Sequence, residues 1–413
     1  MSLYRPLREL PCLNENLEGS VFRPLRSKWK RRPSCGGGLD TENTPHELIQ
    51  QWSPPHKKPV ISVKGKENEE NVFVLGRRPR KRRESSAGLC WDSLPDELLL
   101  GILSRLSLQE LLRTSRVCKR WHRLAFDESL WQSVDLVGKA QLDGELGQVL
   151  SAGVLRLRCP HTCIGQPAFR STKQLRVQHM DLSSCTVETS VLEQIVSRCR
   201  HLHNISLEGL VLSDNIICYL GQNTELVRLN LCGCSGFSPE SLAEMLKSCN
   251  RLEEVNVSWC DFSSVHVQAI SSNILSSVTQ LNISGYRQNL TIEDVKAIVE
   301  RCPNLTNLDL SDSVLLTIDS FPVLQQLSSL RHLGLSRCYQ IYPASLIDVG
   351  KFPNLQTLEV FGLIQDSYLP FLCKGLSHIQ MNTQPFSTVA RPTAATRKDR
   401  TLWGMHCRLQ YKH

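Results

Sequence analysis

From Val177 nearly to the end of the chain, the pattern L-x-x-L-x-L-x-x-(C/L/S/Y) recurs. Its first positions are Val177, Leu202, Leu226, Leu252, Val278, Leu305, Leu330, Leu355 and Leu376, at spacings of 25, 24, 26, 26, 27, 25, 25 and 21 residues. A period of this size is one supersecondary unit repeated. Clear copies are L-V-R-L-N-L-C-G-C from Leu226, L-T-N-L-D-L-S-D-S from Leu305 and L-R-H-L-G-L-S-R-C from Leu330; looser ones precede them near Trp131 and Val154. Each L-x-L core predicts a short strand, and stretches such as P-E-S-L-A-E-M-L-K-S-C from Pro239 predict a helix that returns the chain. Such a unit can bury its leucines only against its neighbours, so the stack shares one core. Parallel strands about 4.8 Å apart give nine units a concave face roughly 40 Å long. That face is suited to binding other macromolecules.

The repeat gives many of the 17 cysteines a structural address. Cys199, Cys249 and Cys302 each fall three residues before a first leucine, and Cys185, Cys234, Cys260 and Cys338 close the strand motif. Small, readily buried thiols suit such inward positions. The odd count and the absence of an apolar signal core in M-S-L-Y-R-P-L-R-E-L-P lead us to expect reduced cysteines and an intracellular protein. The pairs Cys159/Cys163 and Cys232/Cys234 find no second pair at matching distance, so neither a metal nor another cofactor is expected. No run of 18 apolar residues occurs, so no membrane partner is expected.

Ahead of the repeats, residues 94–136 form a different unit. Leu94, Leu98, Ile102 and Leu106 fall on one helical stripe, and Leu99, Leu100 and Leu103 carry the apolar surface further round. Ser93 is read as the N-cap and Pro95 as a first-turn residue. A second helix with Leu108, Leu111 and Leu112 precedes a tight V-C-K-R-W turn carrying Trp121. A unit of about 45 residues is too small to bury so many leucines alone, which implies a partner; a plain helical hairpin with the same leucines as private core is the other reading. The segment resembles an F-box, the motif that docks on the adaptor subunit of SCF-type cullin–RING ubiquitin ligases. The resemblance implies adaptor contacts by Leu94, Pro95, Leu98, Ile102, Leu103, Leu106, Leu111, Val117, Trp121 and Leu124, and through the adaptor a cullin and a RING protein.

Charge divides the chain. Residues 1–90 hold 18 Lys/Arg and 10 Asp/Glu, a balance of +8, which equals the whole chain's 48 − 40; residues 91–413 therefore balance at 30 against 30. All net basicity lies in the leading tail, so no nucleic-acid partner is expected for the folded part. The tail is rich in Pro, Gly and Ser and is read as disordered. It carries short motifs: a basic cluster suited to nuclear import (Arg77, Arg78, Arg80, Lys81, Arg82, Arg83), candidate phosphosites at Ser53 and Ser85, and Arg-x-Leu strings from Arg5, Arg8 and Arg23 of the kind that dock cyclin–kinase complexes. Residence in nucleus and cytoplasm is the corresponding expectation.

No catalytic motif is visible: there is no G-x-x-x-x-G-K-[ST], G-x-S-x-G or H-E-x-x-H. A non-enzymatic receptor, a leucine-rich-repeat scaffold or inhibitor outside any ligase, and an extracellular receptor fragment were weighed; the F-box favours the first. The expected fold is α/β: a disordered tail over 1–90, a small helical F-box over 91–136, a curved leucine-rich-repeat solenoid over 137–381, and a tail over 382–413. The strings W-D-S-L-P-D-E-L-L-L-G from Trp91, R-V-Q-H-M-D-L-S from Arg176, S-G-Y-R from Ser284 and A-R-P-T from Ala390 resemble F-box proteins of the S-phase kinase-associated type. That resemblance implies a ligase substrate receptor acting at the G1/S transition, with a small cyclin-kinase regulatory subunit and a phosphorylated Kip-class inhibitor of cyclin-dependent kinases as partners. It also implies a closing tail that folds back along the concave face and hides Phe386, Val389, Trp403 and Met405. Trp259, Asp312 and Arg337 each stand two residues past a core strand residue (Val257, Leu310, Leu335), so stacking aligns them in a column, with Arg287 at its mouth. Together with Tyr339 these positions match the family's contact surface for the kinase subunit and substrate; solvated rim residues around a gap-filling Trp259 are the alternative.

Overall fold

The computed structural model describes residues 91–139, 141–169, 172–393 and 401–411. The basic cluster at 77–83, Ser53, Ser85 and the other tail motifs lie outside the described residues.

Three helices open the described chain: α1 (Asp96–Leu103), α2 (Leu108–Thr114) and α3 (Lys119–Ala125). The start of α1 differs from the sequence expectation. Pro95 is itself the N-cap, extended at φ −55° and ψ 151°, and Ser93 sits in a preceding 3-10 turn, Trp91–Ser93. The reason is a tie from α3: Arg120 bonds the Asp96 carboxylate through Nε at 2.8 Å and also the Leu94 carbonyl, which fixes the chain before the helix begins. Helix α2 starts on a capping box, with Ser107 N–H donating to Glu110 and Glu110 N–H to Ser107 Oγ. The V-C-K-R-W segment is no isolated turn. Cys118 caps α3, its sulfur accepting from Trp121 N–H at 3.4 Å, so Trp121 rides the first turn of that helix.

The repeats supply strands β1 (Ser133–Asp135), β3 (Arg156–Arg158), β5 (His179–Asp181), β7 (Asn204–Ser206), β8 (Arg228–Asn230), β9 (Glu254–Asn256), β10 (Gln280–Asn282), β11 (Asn307–Asp309), β12 (His332–Gly334), β13 (Thr357–Glu359) and β14 (Gln380–Met381). They pair in parallel, in chain order, in a twelve-stranded sheet. The central residues stand opposite one another, as in Leu229↔Val255 and Leu281↔Leu308, and face the core. Both looser copies, at Trp131 and Val154, are true rungs. The last one corrects the sequence register: β14 starts four residues after Leu376, where every other strand starts two after its first position, so His378 holds that place and Leu376 ends the helix Leu369–Gly375.

Helices return the chain over the convex side, for example Pro239–Ser248, which Ser238 caps and whose first residue is proline. In the first rungs, short convex strands β2 (Gln141–Gly144), β4 (Cys163–Pro167) and β6 (Thr186–Val187) form a second parallel sheet. The cysteines of the repeat are buried, and their thiols donate to carbonyls of the preceding rung: Cys234 to Leu207, Cys260 to Leu231 and Cys338 to Leu310. Buried strands in a solenoid leave little room for a hydroxyl without a partner, and a thiol makes this weak bond cheaply.

The twelfth strand comes from the end of the chain. After a hairpin of β15 (Thr401–Leu402) and β16 (Met405–His406), β17 (Leu409–Gln410) pairs in parallel with β1 and covers its open edge. On its way there the chain crosses the concave face. Asn256 donates to the Val389 carbonyl at 3.2 Å, Ala390 N–H to Glu254 at 3.1 Å, and Arg391 pairs with Glu208 at 3.5 Å. Val389 is fully buried and Trp403 and Met405 partly so, but Phe386 is left 67% exposed, contrary to the expectation that the tail hides it. Thr383 and Gln384, both bonded to Glu359, anchor the backbone there while the Phe386 ring finds no rung to enter.

Candidate functional site

Two surfaces stand out, one on each unit. On the F-box, Leu98, Ile102 and Val117 are 56%, 42% and 64% exposed, and Pro95 beside them is exposed as well. Three branched apolar side chains on one small unit form a patch that water solvates poorly. Beside Ile102 opens an apolar notch of about 200 Å³ lined by Trp91, Ile102, Leu106 and Trp121, with Leu103 and Leu124 among its other walls. Trp91 and Trp121 meet edge to face at 5.7 Å. The expected contact residues differ in exposure. Leu111 is fully buried, and Leu103 and Leu124 keep only 3% and 4% of their surface. These three belong to a core continuous with the first rungs, because α2 and α3 pack inward where the sequence alone showed only helical leucines. Leu94, Leu106 and Trp121 are half-buried against that core.

The second surface is built by the turn that ends each strand. Asn230, Asn256, Asn282 and Asp309 close their strands, and each side-chain oxygen accepts the N–H two residues on, at 3.0 to 3.2 Å. This Asx turn throws the next residue into the left-handed region. Successive rungs place Gly233, Trp259, Gly285, Asp312 and Arg337 there, at φ 68°, 57°, 92°, 60° and 58°. Each donates its N–H to the following rung, Trp259 to Ser284, Gly285 to Ser311 and Asp312 to Ser336, so the column is in register. Two large side chains, Trp259 and Arg337, occupy a conformation that favours glycine, a cost that points to use. Gly285 makes room for one of them: a Cβ there would lie 2.7 Å from Trp259 Cδ2.

The result is a recess of about 860 Å³ walled by Trp259, Arg287, Asp312, Arg337 and Tyr339. Buried Tyr286 forms its floor, stacked on Phe262 at 5.6 Å. All five residues named from the sequence are thus brought together, but one has a different place. Asp312 is nearly buried and holds Arg337, whose Nε reaches both carboxylate oxygens at 2.8 and 2.9 Å. That bond raises the Arg337 pKa above its ordinary value, and the guanidinium lies 5.9 Å from the Trp259 ring. From the recess wall, Asp312 thus holds Arg337 in place. Arg287 is exposed, with no carboxylate partner among the described residues, and Tyr339 is 62% exposed. Sequence reasoning missed Gly285 and Tyr286; a glycine in the column between two large residues was the available signal. Among the described residues no group of three or more His, Cys, Asp or Glu is placed to hold a metal, and no helix is long and apolar enough to cross a membrane.

Comparison with known proteins identifies both parts of the chain. Residues 91–137 match the F-box-like family and residues 144–410 match the SKP2 LRR domain family. The chain belongs to the SKP2-type family of F-box and leucine-rich-repeat proteins. F-box/leucine-rich-repeat receptors are non-catalytic subunits of SCF ligases. Among relatives, F-box protein SKIP19 of Arabidopsis thaliana is 26% identical over 262 residues, covering 61% of this chain and 70% of that protein. Putative F-box/LRR-repeat protein 23 of the same plant is 25% identical over 269 residues, 61% of this chain and 49% of its own length. Of solved structures, a chain from the yeast Rad7 and Elc1 complex aligns with a TM-score of 0.36 at 15% identity, over 50% of this chain and 62% of that one. An internalin from Listeria monocytogenes aligns at 0.40 and 16% identity, over 60% and 72%.

Proposed function

We propose that this chain is the substrate receptor of an SCF ubiquitin ligase, gripping the adaptor with its F-box and presenting substrate from the recess on the solenoid. The exposure of Leu98, Ile102 and Val117 on a small unit whose other leucines are buried or half-buried carries the first half. An interface that removes these side chains from water gains on docking, at about 25 cal/mol per Å² of apolar surface. The receptor makes no covalent bond. It raises the effective concentration of substrate lysines beside the charged conjugating enzyme that the cullin and RING protein bring.

The recess supports a finer reading: the small cyclin-kinase regulatory subunit and a phosphorylated Kip-class inhibitor dock at Trp259, Arg287, Arg337 and Tyr339, for degradation at G1/S. A phosphate dianion calls for clustered, unpaired arginines. Here Asp312 already engages Arg337, which leaves Arg287 alone among the recess arginines. The recess thus suits an aromatic and acidic protein surface better than a phosphate, and the small subunit reads the phosphothreonine. Shuttling between cytoplasm and nucleus through Arg77–Arg83 belongs to the same reading.

The test is reconstitution. Phosphorylated inhibitor peptide should bind weakly to the receptor–adaptor pair and tightly once the small subunit is added. Tight phosphate-dependent binding without the small subunit, lost on Arg287→Ala, would reverse that assignment. A chain that fails to co-purify with adaptor and cullin would remove the ligase reading altogether.

A further inference from the structure

The concave face of the second to fifth rungs carries a second charged feature, away from the recess. Sheet register sets Arg156 opposite His179, His179 opposite Asn204, and Asn204 opposite Arg228. These are first residues of their strands, so their side chains form one row across the sheet, with the two arginines about 14 Å apart at ordinary strand spacing. His203 adds a ring 5.9 Å from that of His179. Arg228 shares its charge with Glu254 at 2.8 Å, whereas Arg156 has no carboxylate partner among the described residues. His179 Nδ1 is buried and makes no hydrogen bond. An orphaned buried ring nitrogen between cations is open to a hydrogen bond with a bound group. Burial first, then the charges of His203, Arg156 and Arg228, push the His179 pKa down to about 4.

We propose that the row of Arg156, His179 and Arg228, with His203, is a second docking seat, shaped for an acidic segment of a protein partner. The chemistry is that of carboxylates or phosphoryl groups on an extended peptide. Such a peptide advances about 3.4 Å per residue, so anionic side chains four residues apart match the separation of the two arginines. The same face already holds a peptide segment by side-chain-to-backbone bonds: the chain's own Val389 and Ala390, in a turn, are bonded to Asn256 and Glu254. Trp403, 6.4 Å from His179, gives the seat an apolar wall. A nucleic acid fits less well, because residues 91–413 carry no net charge (30 Lys/Arg against 30 Asp/Glu) and the row holds only two arginines.

Fluorescence anisotropy on the full chain bound to its adaptor tests this seat. The probes are a labelled Gly/Ser peptide with two glutamates four residues apart, the same peptide with two phosphoserines, its lysine counterpart, and an oligothymidine. The expected result is salt-sensitive binding of one or both acidic peptides and none of the lysine peptide, and the pair of acidic probes shows which anion is preferred. Arg156→Gln should weaken binding roughly tenfold, equivalent to about 1.4 kcal/mol. His203→Gln should weaken it less, and Lys247→Gln, on the convex helix Pro239–Ser248, should leave it unchanged, which separates the seat from general surface charge. Unaltered melting of the variants establishes that they fold, and Arg156→Lys should restore part of the affinity. The proposal fails if neither acidic peptide binds, if Arg156→Gln changes nothing, or if oligothymidine binds as tightly and is lost on Arg156→Gln.

Discussion

Arg337 and Asp312 stand at equivalent positions of adjacent rungs, both in the left-handed region, and their ion pair spans the wall of the recess. Asp312 is nearly buried and Arg337 is half-exposed, so the carboxylate holds a guanidinium whose other face is free for a partner. Removing the carboxylate should let Arg337 swing away from Trp259 while leaving the rungs intact. Asp312→Asn is therefore expected to change the melting temperature little, because a half-exposed pair contributes only about 0–1 kcal/mol. It should still weaken the complex with the small kinase subunit. Trp259→Ala and Arg337→Ala should each cost that complex at least about 1–2 kcal/mol by titration calorimetry if they are interface hot spots. Equal affinity for all three variants would sink the recess assignment.

On the F-box, exposure separates two groups of leucines that look alike in sequence. Leu98→Glu and Ile102→Glu should abolish adaptor capture yet leave the thermal unfolding of the solenoid unchanged. Leu111→Ala, in contrast, should destabilise the protein by roughly 2–5 kcal/mol, since it empties a packed core site. The measurement is a pull-down with purified adaptor beside a denaturant melt; retained capture by the Leu98 variant rules out this face.

The solenoid was legible because its rule is local and repeated: a strand every 23–27 residues leaves the same mark each time. The two weak copies at Trp131 and Val154 proved to be rungs, since a parallel stack tolerates Trp or Val at the first position so long as the central residue (Val134 or Leu157) points inward. The column of Trp259, Asp312 and Arg337 was legible for the same reason. What was not legible depends on contacts between distant segments. No spacing rule shows that Arg120 ties down the start of α1, that Asp312 is turned inward to hold Arg337, or that Phe386 stays outside while Val389 is buried. Helical periodicity identified the apolar stripe of the F-box but not which of its sides the first rungs would cover.

The repeat cysteines give a chemical readout of the register. Burial pushes the thiols of Cys199, Cys249 and Cys302 up to about 12, so almost no thiolate forms at neutral pH, and none of the three is exposed. Cys163 and Cys218 are exposed. Mass spectrometry after brief maleimide treatment at pH 7.5 should find Cys163 and Cys218 modified well before the three repeat thiols, which should react only on denaturation. Early labelling of Cys249 would show that the helix-to-strand turns open.

Near the end of the chain, Arg408 reaches back to the junction of the two units. Its guanidinium donates to the carbonyls of Ser104 (2.7 Å) and Leu130, and its N–H donates to Ser133 Oγ at 2.9 Å. Arg408→Ala removes the two side-chain bonds and keeps β17. Charged hydrogen bonds of this kind contribute about 1.5–3 kcal/mol at most, less where water competes. The expected outcome is faster proteolysis between Ser104 and Leu130 with little change in the solenoid's own melting.

The last prediction concerns pH. His179 lies under Trp403 of the returning tail, with its pKa lowered to about 4 by burial and by the neighbouring His203, Arg156 and Arg228. The unfolded chain takes up this proton near 6.5, the ordinary value for histidine. Above pH 6.5 neither state is protonated and His179 contributes its full stability. Between 6.5 and about 4 the unfolded state binds the extra proton, so stability falls as pH falls, and below about 4 the loss levels off. Buried carboxylates also titrate in acid, so the informative quantity is the difference between the wild type and His179→Asn, which cannot titrate. That difference in melting temperature should be constant above pH 7 and shift in favour of the variant as pH drops from 6.5 toward 4. A difference that stays flat across that window would mean that His179 takes up its proton alike in the folded and the unfolded chain, against the burial and the neighbouring cations described above.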